Sequence, residues 1–234
     1  MRNVKIDMLK QEVLKNLCGD SLLKMKGKII MEQLLNERKI EWLLHFTQAE
    51  NLSNILKFGL LPRSVIKNYG IQSSFNDEYR YDNCLNAVCM SIEFPNYKMF
   101  YKLRQDNPDI EWVVLLLDAK ILCDFECAFC YTNAGSATMY NIPIEQRMGK
   151  EAFLHLFEDC PNGPTRKELN IGDWYPTNPQ AEVLVFDSIS VDYILKVYFQ
   201  EEKTFNKYCG SIPSFIKTGI KKKAFSYRKD WDFW

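Results

Sequence analysis

Glu182 is the residue best placed for chemistry, because it stands where a polar loop meets an apolar run. The residues after it, 183–186, are Val-Leu-Val-Phe, the β-branched and aromatic composition of a buried strand. Junctions between a rigid strand and a loop often carry working residues, and carboxylates are rarely buried without a partner. From its position alone, Glu182 is either an ordinary solvated residue at a strand edge or a functional carboxylate.

His45 and Thr47 form a second candidate group. They end a predicted strand that begins at Trp42, and residues two apart on a strand point to the same face, so both side chains can address one ligand. His45 can equally be a structural histidine, and Thr47 can cap the helix that follows. The other histidine, His155, lies in an apolar helical segment and is predicted to be structural, and neither histidine has a nucleophile-elbow motif.

The cysteines Cys123, Cys127 and Cys130 are spaced like ligands of an iron–sulfur cluster, or of zinc with a distant fourth ligand. The spacing resembles the cluster motif of radical-SAM enzymes. About a hundred residues follow the cysteines, which is too few for the partial barrel of those enzymes, and no glycine-rich cofactor segment follows them. Phe125 and Phe129 are interleaved with the cysteines, as in a strand where thiols pack as small hydrophobes. Packing is the favoured interpretation, no metal is expected, and metal binding is the alternative.

Composition indicates a soluble globular protein of 234 residues, with 47% hydrophobic and 26% charged residues. Lys plus Arg equal Asp plus Glu, at 30 each, so net charge does not indicate a nucleic-acid partner. The sequence has no apolar run of membrane-spanning length and no signal-peptide pattern at its start. We therefore expect a cytoplasmic protein without a membrane partner, whose cysteines are reduced.

The chain divides into a helical extension, 1–39, and a main domain, 40–234. The extension has apolar residues at helical spacing on both sides of a Gly-Asp-Ser break at 19–21. The main domain alternates short strands with short helices and long loops, which predicts an α+β fold. A compact helix is predicted from about residue 50 to 58, with Gly59 as its C-cap. Strands are predicted over 42–47, 86–92, 112–118, 183–187 and 192–199.

Five segments in order resemble DarT-type ADP-ribosyltransferase toxins, over residues of about 40–234. They are His-Phe-Thr-x3-Asn-Leu-x2-Ile-Leu-x2-Gly-Leu at 45–60, Met-Ser-Ile-Glu-Phe-Pro at 90–95 with Met-Phe-Tyr at 99–101, Phe-Cys-Tyr-Thr-Asn-Ala-Gly at 129–135, Gln-Ala-Glu at 180–182, and Arg-Lys-Asp-Trp at 228–231. The resemblance implies an ADP-ribosyltransferase-like fold, with two small mixed or antiparallel sheets around an NAD cleft. The N-terminal extension has no counterpart in it.

The same resemblance implies a toxin that consumes NAD, releases nicotinamide and attaches ADP-ribose to a base in single-stranded nucleic acid. DNA is the expected acceptor, RNA is the alternative, and a cognate antitoxin is the expected protein partner. Carried over by position, Glu182 is the catalytic carboxylate, His45 and Thr47 hold NAD near its nicotinamide side, and Asn51 supports the same cofactor-binding pocket. An arginine that follows the first helix is expected near the phosphates and the reacting ribose, and Arg80 is the best match for it. The glycine-rich loop of several family members is absent, which leaves the modified base open.

Contacts to the nucleic acid are expected from aromatic and cationic side chains, because bases stack on aromatic rings and phosphates attract cations. The loop before the catalytic position supplies Trp174, Tyr175 and Gln180, and Arg104 and Arg228 are the candidate cations. Lys102 and the lysine run 221–223 are further candidates, although such a run is more often a solvated face.

Overall fold

The computed structural model describes residues 21–75, 80–161 and 163–234. Its first element is a helix over 21–38 (α1), whose residues 21–30 are exposed on all sides. The later turns bury Met31, Leu34 and Leu35 in the same core as the central strands. The last turns of the predicted extension are thus built into the main domain, and residues 1–20 lie outside the described residues.

The described residues contain one seven-stranded sheet of order β4-β5-β2-β1-β3-β6-β7. Neighbouring strands are antiparallel, except for β6 and β7, which are parallel. The strands are β1 (Trp42–Gln48), β2 (Val88–Ile92), β3 (Trp112–Asp118), β4 (Cys127–Cys130), β5 (Glu182–Val185), β6 (Ile194–Phe199) and β7 (Lys217–Ile220).

Short helices surround the sheet. The α-helices after α1 are α2 (Leu52–Phe58), α3 (Arg63–Asn68), α4 (Tyr97–Asp106), α5 (Ile121–Asp124), α6 (Ala137–Tyr140), α7 (Gly149–His155), α8 (Arg166–Leu169) and α9 (Glu202–Tyr208). Single 3₁₀ turns occupy Ala49–Asn51, Ile144–Arg147, Val191–Tyr193, Cys209–Ser211, Lys222–Phe225 and Trp231–Phe233. Among the helices of the described ranges, none combines the length and the apolar character needed to cross a membrane.

The sheet opens between β1 and β2. These two strands pair only at Leu43 with Ile92 and at Leu44 with Ser91. Beyond that point β1 continues along β3, whereas the first half of β2 pairs with β5. The prediction of two separate sheets is therefore corrected: the two sheets are halves of one sheet, β4-β5-β2 and β1-β3-β6-β7, joined over two residue pairs and divided by a gap.

All five predicted strands are present, because each is an apolar run that the sheet buries. In β3, alternate residues enter cores on opposite faces of the sheet, which explains its unbroken apolar sequence. Two strands were not predicted. The four residues of β4 include two cysteines, and β7 is an exposed edge strand, Lys-Thr-Gly-Ile, with little apolar signal.

The predicted helix after β1 is confirmed, and Gly59 ends it. The backbone of Gly59 has φ of 81°, and its N–H donates to the carbonyl of Ile55 at 2.8 Å. A Cβ atom on residue 59 would lie 2.2 Å from the carbonyl oxygen of Ile189. Glycine is thus required both for the backbone conformation and for the close approach of the two chain segments.

Candidate active site

The gap between β1 and β2 holds a cleft of about 220 Å³. The cleft is far larger than the roughly 10–15 Å³ that one water molecule needs. Both halves of the sheet line it, with His45 and Thr47 from β1, Cys89 from β2 and Glu182 from β5. Arg80 lines it from the loop that precedes β2. Residues from four parts of the sequence thus face one space.

Glu182 begins β5, lines this cleft and is only 8% exposed. Its Oε2 accepts a hydrogen bond from the backbone N–H of Ala134 at 2.8 Å. Its Oε1 accepts from the side-chain amides of Asn96 at 3.2 Å and Asn133 at 3.3 Å. Burial raises the pKa of Glu182 above its ordinary value, although the bonds from Ala134 and Asn96 act in the opposite direction. The carboxylate is thus oriented by neutral donors.

Asn96 is a site residue that the sequence did not suggest. It is 1% exposed, and its Oδ1 accepts from the N–H of Met99 at 3.2 Å, which caps α4. Its own N–H donates to the hydroxyl of Ser91 at 3.1 Å. An asparagine after a proline and before a helix is a recognisable capping signal. Its contact with Glu182, 86 residues away, carries no such signal.

The surroundings of His45 keep its ring neutral and determine which ring nitrogen carries the proton. Its Nδ1 lies 2.9 Å from the carbonyl oxygen of Cys89, and because a carbonyl only accepts, Nδ1 carries the proton. Burial lowers the pKa of His45 below its ordinary value of 6.5, and the nearby cation of Arg80 lowers it further. Nε2 is therefore an acceptor at neutral pH.

Asn51 lines the cleft, but its side chain makes hydrogen bonds to other residues that line the cleft. Its amide nitrogen donates to the hydroxyl of Thr47 at 2.9 Å and to the carbonyl of Ser74 at 2.8 Å. Its Oδ1 accepts from the N–H of Ser74 at 2.9 Å and from the hydroxyl of Ser73 at 3.2 Å. No hydrogen-bonding capacity is left for a ligand. These bonds are consistent with the predicted role of Asn51 as support for the pocket, through Thr47 and the backbone at 73–74.

Arg80 is fixed in the cleft by Asp82. Nε and Nη2 donate to the two carboxylate oxygens of Asp82 at 2.9 and 2.7 Å. Nη2 also donates to the carbonyl of Cys84 at 2.8 Å, and Nη1 to that of Ala87 at 3.3 Å. Within the described residues these bonds use four of the five guanidinium N–H groups, which leaves one on Nη1.

Arg63 is a second arginine in the cleft wall that sequence reasoning missed. It begins α3, is buried, and places its guanidinium 4.4 Å from the ring centre of Phe75. The expected arginine after the first helix was assigned to Arg80 alone. Arg63 follows α2 more directly, after the Leu-Leu-Pro segment at 60–62, and that order was the available signal.

The loop before Glu182 presents aromatic side chains beside the cleft. Trp174 is exposed and lies 5.7 Å from Tyr175, measured between ring centres. Tyr175 contacts Phe94 edge-on at 6.4 Å. Gln180 is half-buried, and its N–H donates to Oδ1 of Asn178 at 2.8 Å. Trp174, Tyr175 and Gln180 lie outside the residues that line the cleft itself.

The structure contradicts one predicted nucleic-acid contact, Arg228, whereas the contact of Arg104 stays a prediction. Arg228 is 3% exposed, donates to both oxygens of Asp230 at 2.6 and 2.7 Å, and donates to the carbonyls of Pro176 and Thr177 at 2.8 Å each. Arg104 is half-buried and donates to the side chain of Gln200 and to the carbonyl of Phe225. Both guanidinium groups hold chain segments together, and that of Arg228 does not face solvent.

The structure does not favour the alternative in which the three cysteines bind a metal together. Cys127 and Cys130 lie on opposite faces of β4 and enter different apolar clusters. Burial raises the pKa of each of these thiols to about 12, so both stay protonated. Over the described ranges of the chain, no three His, Cys, Asp or Glu side chains are grouped as metal ligands.

Comparison with known proteins gives one family and several structures. A family model described as DarT, ssDNA thymidine ADP-ribosyltransferase, matches residues 44–233. The fold is similar to Thermosipho africanus DarTG in complex with ADP-ribose, with a TM-score of 0.56 and 14% identity over 79% of this chain. This chain spans 50% of the length of that one. No curated protein matched the sequence.

A second similar fold is Thermus sp. 2.9 DarT, solved with carba-NAD⁺ and with NAD⁺. The TM-scores are 0.51 and 0.50, each at 13% identity over 79% of this chain and 97% of that one. At identities this low, the structural similarity shows a common α/β fold and no more. Membership of the family rests on the family model, which matches most of the chain.

Proposed function

The chain belongs to the DarT family of ssDNA thymidine ADP-ribosyltransferases, and we propose that it uses NAD to attach ADP-ribose to a base in single-stranded DNA, with release of nicotinamide. One observation carries the proposal. Glu182, His45 and Arg80, which sequence resemblance assigns to the reaction, come from distant parts of the chain and line one cleft in the split sheet.

The substrates follow from the family and its solved members. Thermus DarT was solved with NAD⁺ and Thermosipho DarTG with ADP-ribose, which supports NAD as the ADP-ribose donor for this chain. The family description makes thymidine in DNA the first acceptor to test. RNA is the alternative acceptor. A base inside a duplex cannot present its ring nitrogen to the ribose, so the strand has to be single or the base flipped.

Glu182 is proposed to act on the reacting ribose and on the acceptor base. Cleavage of the nicotinamide–ribose bond develops positive charge on the ribose, as in glycoside hydrolysis, and a nearby carboxylate stabilises that charge. The bonding electrons leave with nicotinamide. A ring nitrogen of the acceptor base forms the new bond to the anomeric carbon, and the proton it loses passes to Glu182. The raised pKa of Glu182 makes it a better proton acceptor than a solvated carboxylate.

His45, Thr47 and Arg80 are proposed to hold NAD. Neutral His45 offers Nε2 as an acceptor to a ribose hydroxyl, on the nicotinamide side. The hydroxyl of Thr47 accepts from Asn51, and its own hydrogen is proposed to be donated to the substrate. Arg80 brings positive charge to the pyrophosphate or the reacting ribose, and its bidentate pair with Asp82 fixes the direction of the remaining N–H.

The experiment is incubation of the protein with NAD and a panel of oligonucleotides, followed by intact mass. Homopolymers of each base, mixed DNA sequences and their RNA counterparts form the panel. Addition of one ADP-ribose mass to thymidine-containing DNA, with an equal amount of nicotinamide released, is the expected result. Modification of RNA alone would move the function to the alternative acceptor, and no modification of any strand would reject it.

The cellular setting is also part of the proposal. A protein that modifies DNA and consumes NAD acts where both occur, so we keep the cytoplasm as its location. A cognate antitoxin is expected from the family resemblance. We further propose that residues 1–39 are an accessory extension to the transferase domain, whose last turns are anchored in its core by Met31, Leu34 and Leu35.

A further inference from the structure

The end of the chain carries large aromatic side chains on its surface. Tyr227 is 57% exposed and Trp231 is 49% exposed, and Phe233 beside them is exposed as well. The ring centres of Tyr227 and Trp231 lie 4.8 Å apart with the planes tilted by 51°. Grouped aromatic rings that leave their faces open to solvent are unusual on a protein surface without a binding role.

The chain segment that carries these rings is rich in cations. Residues 217–234 contain five lysines, all exposed: Lys217, Lys221, Lys222, Lys223 and Lys229. Among the residues that the structure describes, none of these lysines has an ion-pair partner. Asp230 is buried against Arg228, so Asp232 is the only exposed carboxylate side chain of this segment. This segment is therefore positively charged, although the whole chain has no net charge.

The same segment is tied to the loop that leads to Glu182. Arg228 donates to the carbonyls of Pro176 and Thr177, and its guanidinium lies 5.5 Å from the ring centre of Tyr175. Its partner Asp230 also accepts from the indole N–H of Trp234 at 3.0 Å. The residues on either side of Arg228 are thus held beside the loop that runs into the catalytic strand.

We propose that residues 221–234 form a platform on which nucleotides flanking the acceptor base stack. Tyr227 and Trp231 provide the aromatic faces, and the lysines neutralise the phosphates between the stacked bases. Only an unpaired strand offers free base faces together with regularly spaced negative charge, so this combination fits a single strand. The proposal rests on the proposed function for the position of the acceptor base, while strand binding by the platform is measured independently of transfer.

The test measures strand binding without NAD. Fluorescence anisotropy is recorded with labelled DNA strands of about 4 and about 16 nucleotides, which bracket ordinary single-strand site sizes. Trp231→Ala and Tyr227→Ala are expected to weaken binding of the longer strand by about five- to 100-fold, the effect of losing one stacked base. Affinity for the shorter strand, which occupies the cleft side only, should stay within twofold or so of wild type.

Two further variants separate stacking from charge. Trp231→Phe keeps an aromatic face and should retain most of the affinity. The double substitution Lys222→Ser with Lys223→Ser should lower the salt dependence of log K by about 0.7 for each phosphate that the lysines no longer neutralise. Phe215→Ala is the control, since Phe215 is an exposed aromatic residue outside the proposed platform of residues 221–234. NAD affinity and melting temperature of every variant report on the cleft and the fold.

Three results would overturn the platform. One is equal affinity of Trp231→Ala and wild type for the longer strand. Another is a Trp231→Phe protein as weak as Trp231→Ala. A third is unchanged strand binding together with loss of binding to a protein partner, which would make this surface a protein interface. Failure of ADP-ribose transfer with Trp231-dependent strand binding would instead reject the proposed function and leave the platform standing.

Discussion

The side-chain amide of Asn96 donates to Oε1 of Glu182 at 3.2 Å, while Oδ1 of Asn96 caps α4. One buried asparagine thus connects the first turn of a helix to the carboxylate proposed as catalytic. Burial acts to raise the pKa of Glu182, and the amide of Asn96 acts to lower it. Asn96 is therefore a positioning residue, which sets both the direction and the proton affinity of Glu182.

Asn96→Ser and Asn96→Ala separate these two roles. Serine caps a helix well but is too short to reach Glu182, so Asn96→Ser should lower the transfer rate and move its acid limb to higher pH. Asn96→Ala should do the same and also lose the cap, at about 1 kcal/mol of unfolding free energy. Rate–pH profiles and denaturant unfolding measure the two effects. An Asn96→Ser protein with the wild-type profile would show that the amide does not tune Glu182.

The pH dependence of wild-type transfer should report the raised pKa of Glu182. The carboxylate accepts a proton in the proposed reaction, so the rate falls as pH drops through its pKa. Because burial raises that pKa above the ordinary 4.5, the decline should begin at a pH above that of a solvated glutamate. Single-turnover rates at saturating NAD measure it. A rate that is constant down to pH 4.5 would contradict the assignment.

His45→Ala should weaken NAD binding by about five- to tenfold, which corresponds to loss of one hydrogen bond from neutral Nε2. The affinity should also be flat above the lowered pKa of His45, because the ring does not charge there. Calorimetric titration with NAD on a Glu182→Gln background avoids turnover. His155→Ala is the matched control, since His155 is exposed and pairs with Glu158. Equal NAD affinities of the two alanine variants would remove His45 from the site.

Arg228→Ala should destabilise the fold by about 3–5 kcal/mol at neutral pH, because it leaves Asp230 buried without its cation. Although burial acts to raise it, the bonds from Arg228 hold the pKa of Asp230 below the ordinary 3.8. The stabilising effect of Asp230 is therefore present above pH 3.8 and is lost as pH falls through the lower folded-state value. Urea unfolding from pH 7 to 3 should show the difference from wild type shrinking. A constant difference would contradict this pairing.

Gly59→Ala should destabilise the protein by about 2–4 kcal/mol, since it adds backbone strain at positive φ and a clash with the carbonyl of Ile189. Gly210→Ala is the control, because a Cβ at that position meets nothing within 4 Å. Thermal and urea unfolding compare the two variants. Equal stabilities would mean that the turn after α2 can rearrange.

The features that the sequence predicted are those set by neighbouring residues, such as strands, helix ends and short motifs. Five strands and the helix that ends at Gly59 followed from apolar runs and turn residues, and motif order placed Glu182, His45 and Arg80 in one family pattern. The contacts made by Asn96, Arg63 and Arg228 depend on which distant segments the fold brings together. Arg228 shows this well, because its sequence surroundings are charged and exposed, yet four hydrogen bonds bury it against Asp230 and the 176–177 backbone.

The most direct test of the central claim compares Glu182→Gln with Glu126→Gln. Glu182 begins β5, and Glu126 immediately precedes the neighbouring strand β4. Glu126, however, is exposed and does not line the cleft. Wild type and Glu126→Gln should add one ADP-ribose mass to a thymidine-containing DNA strand in the presence of NAD. Glu182→Gln should still bind NAD and leave the strand unmodified by intact mass. Wild-type modification by Glu182→Gln would contradict the account.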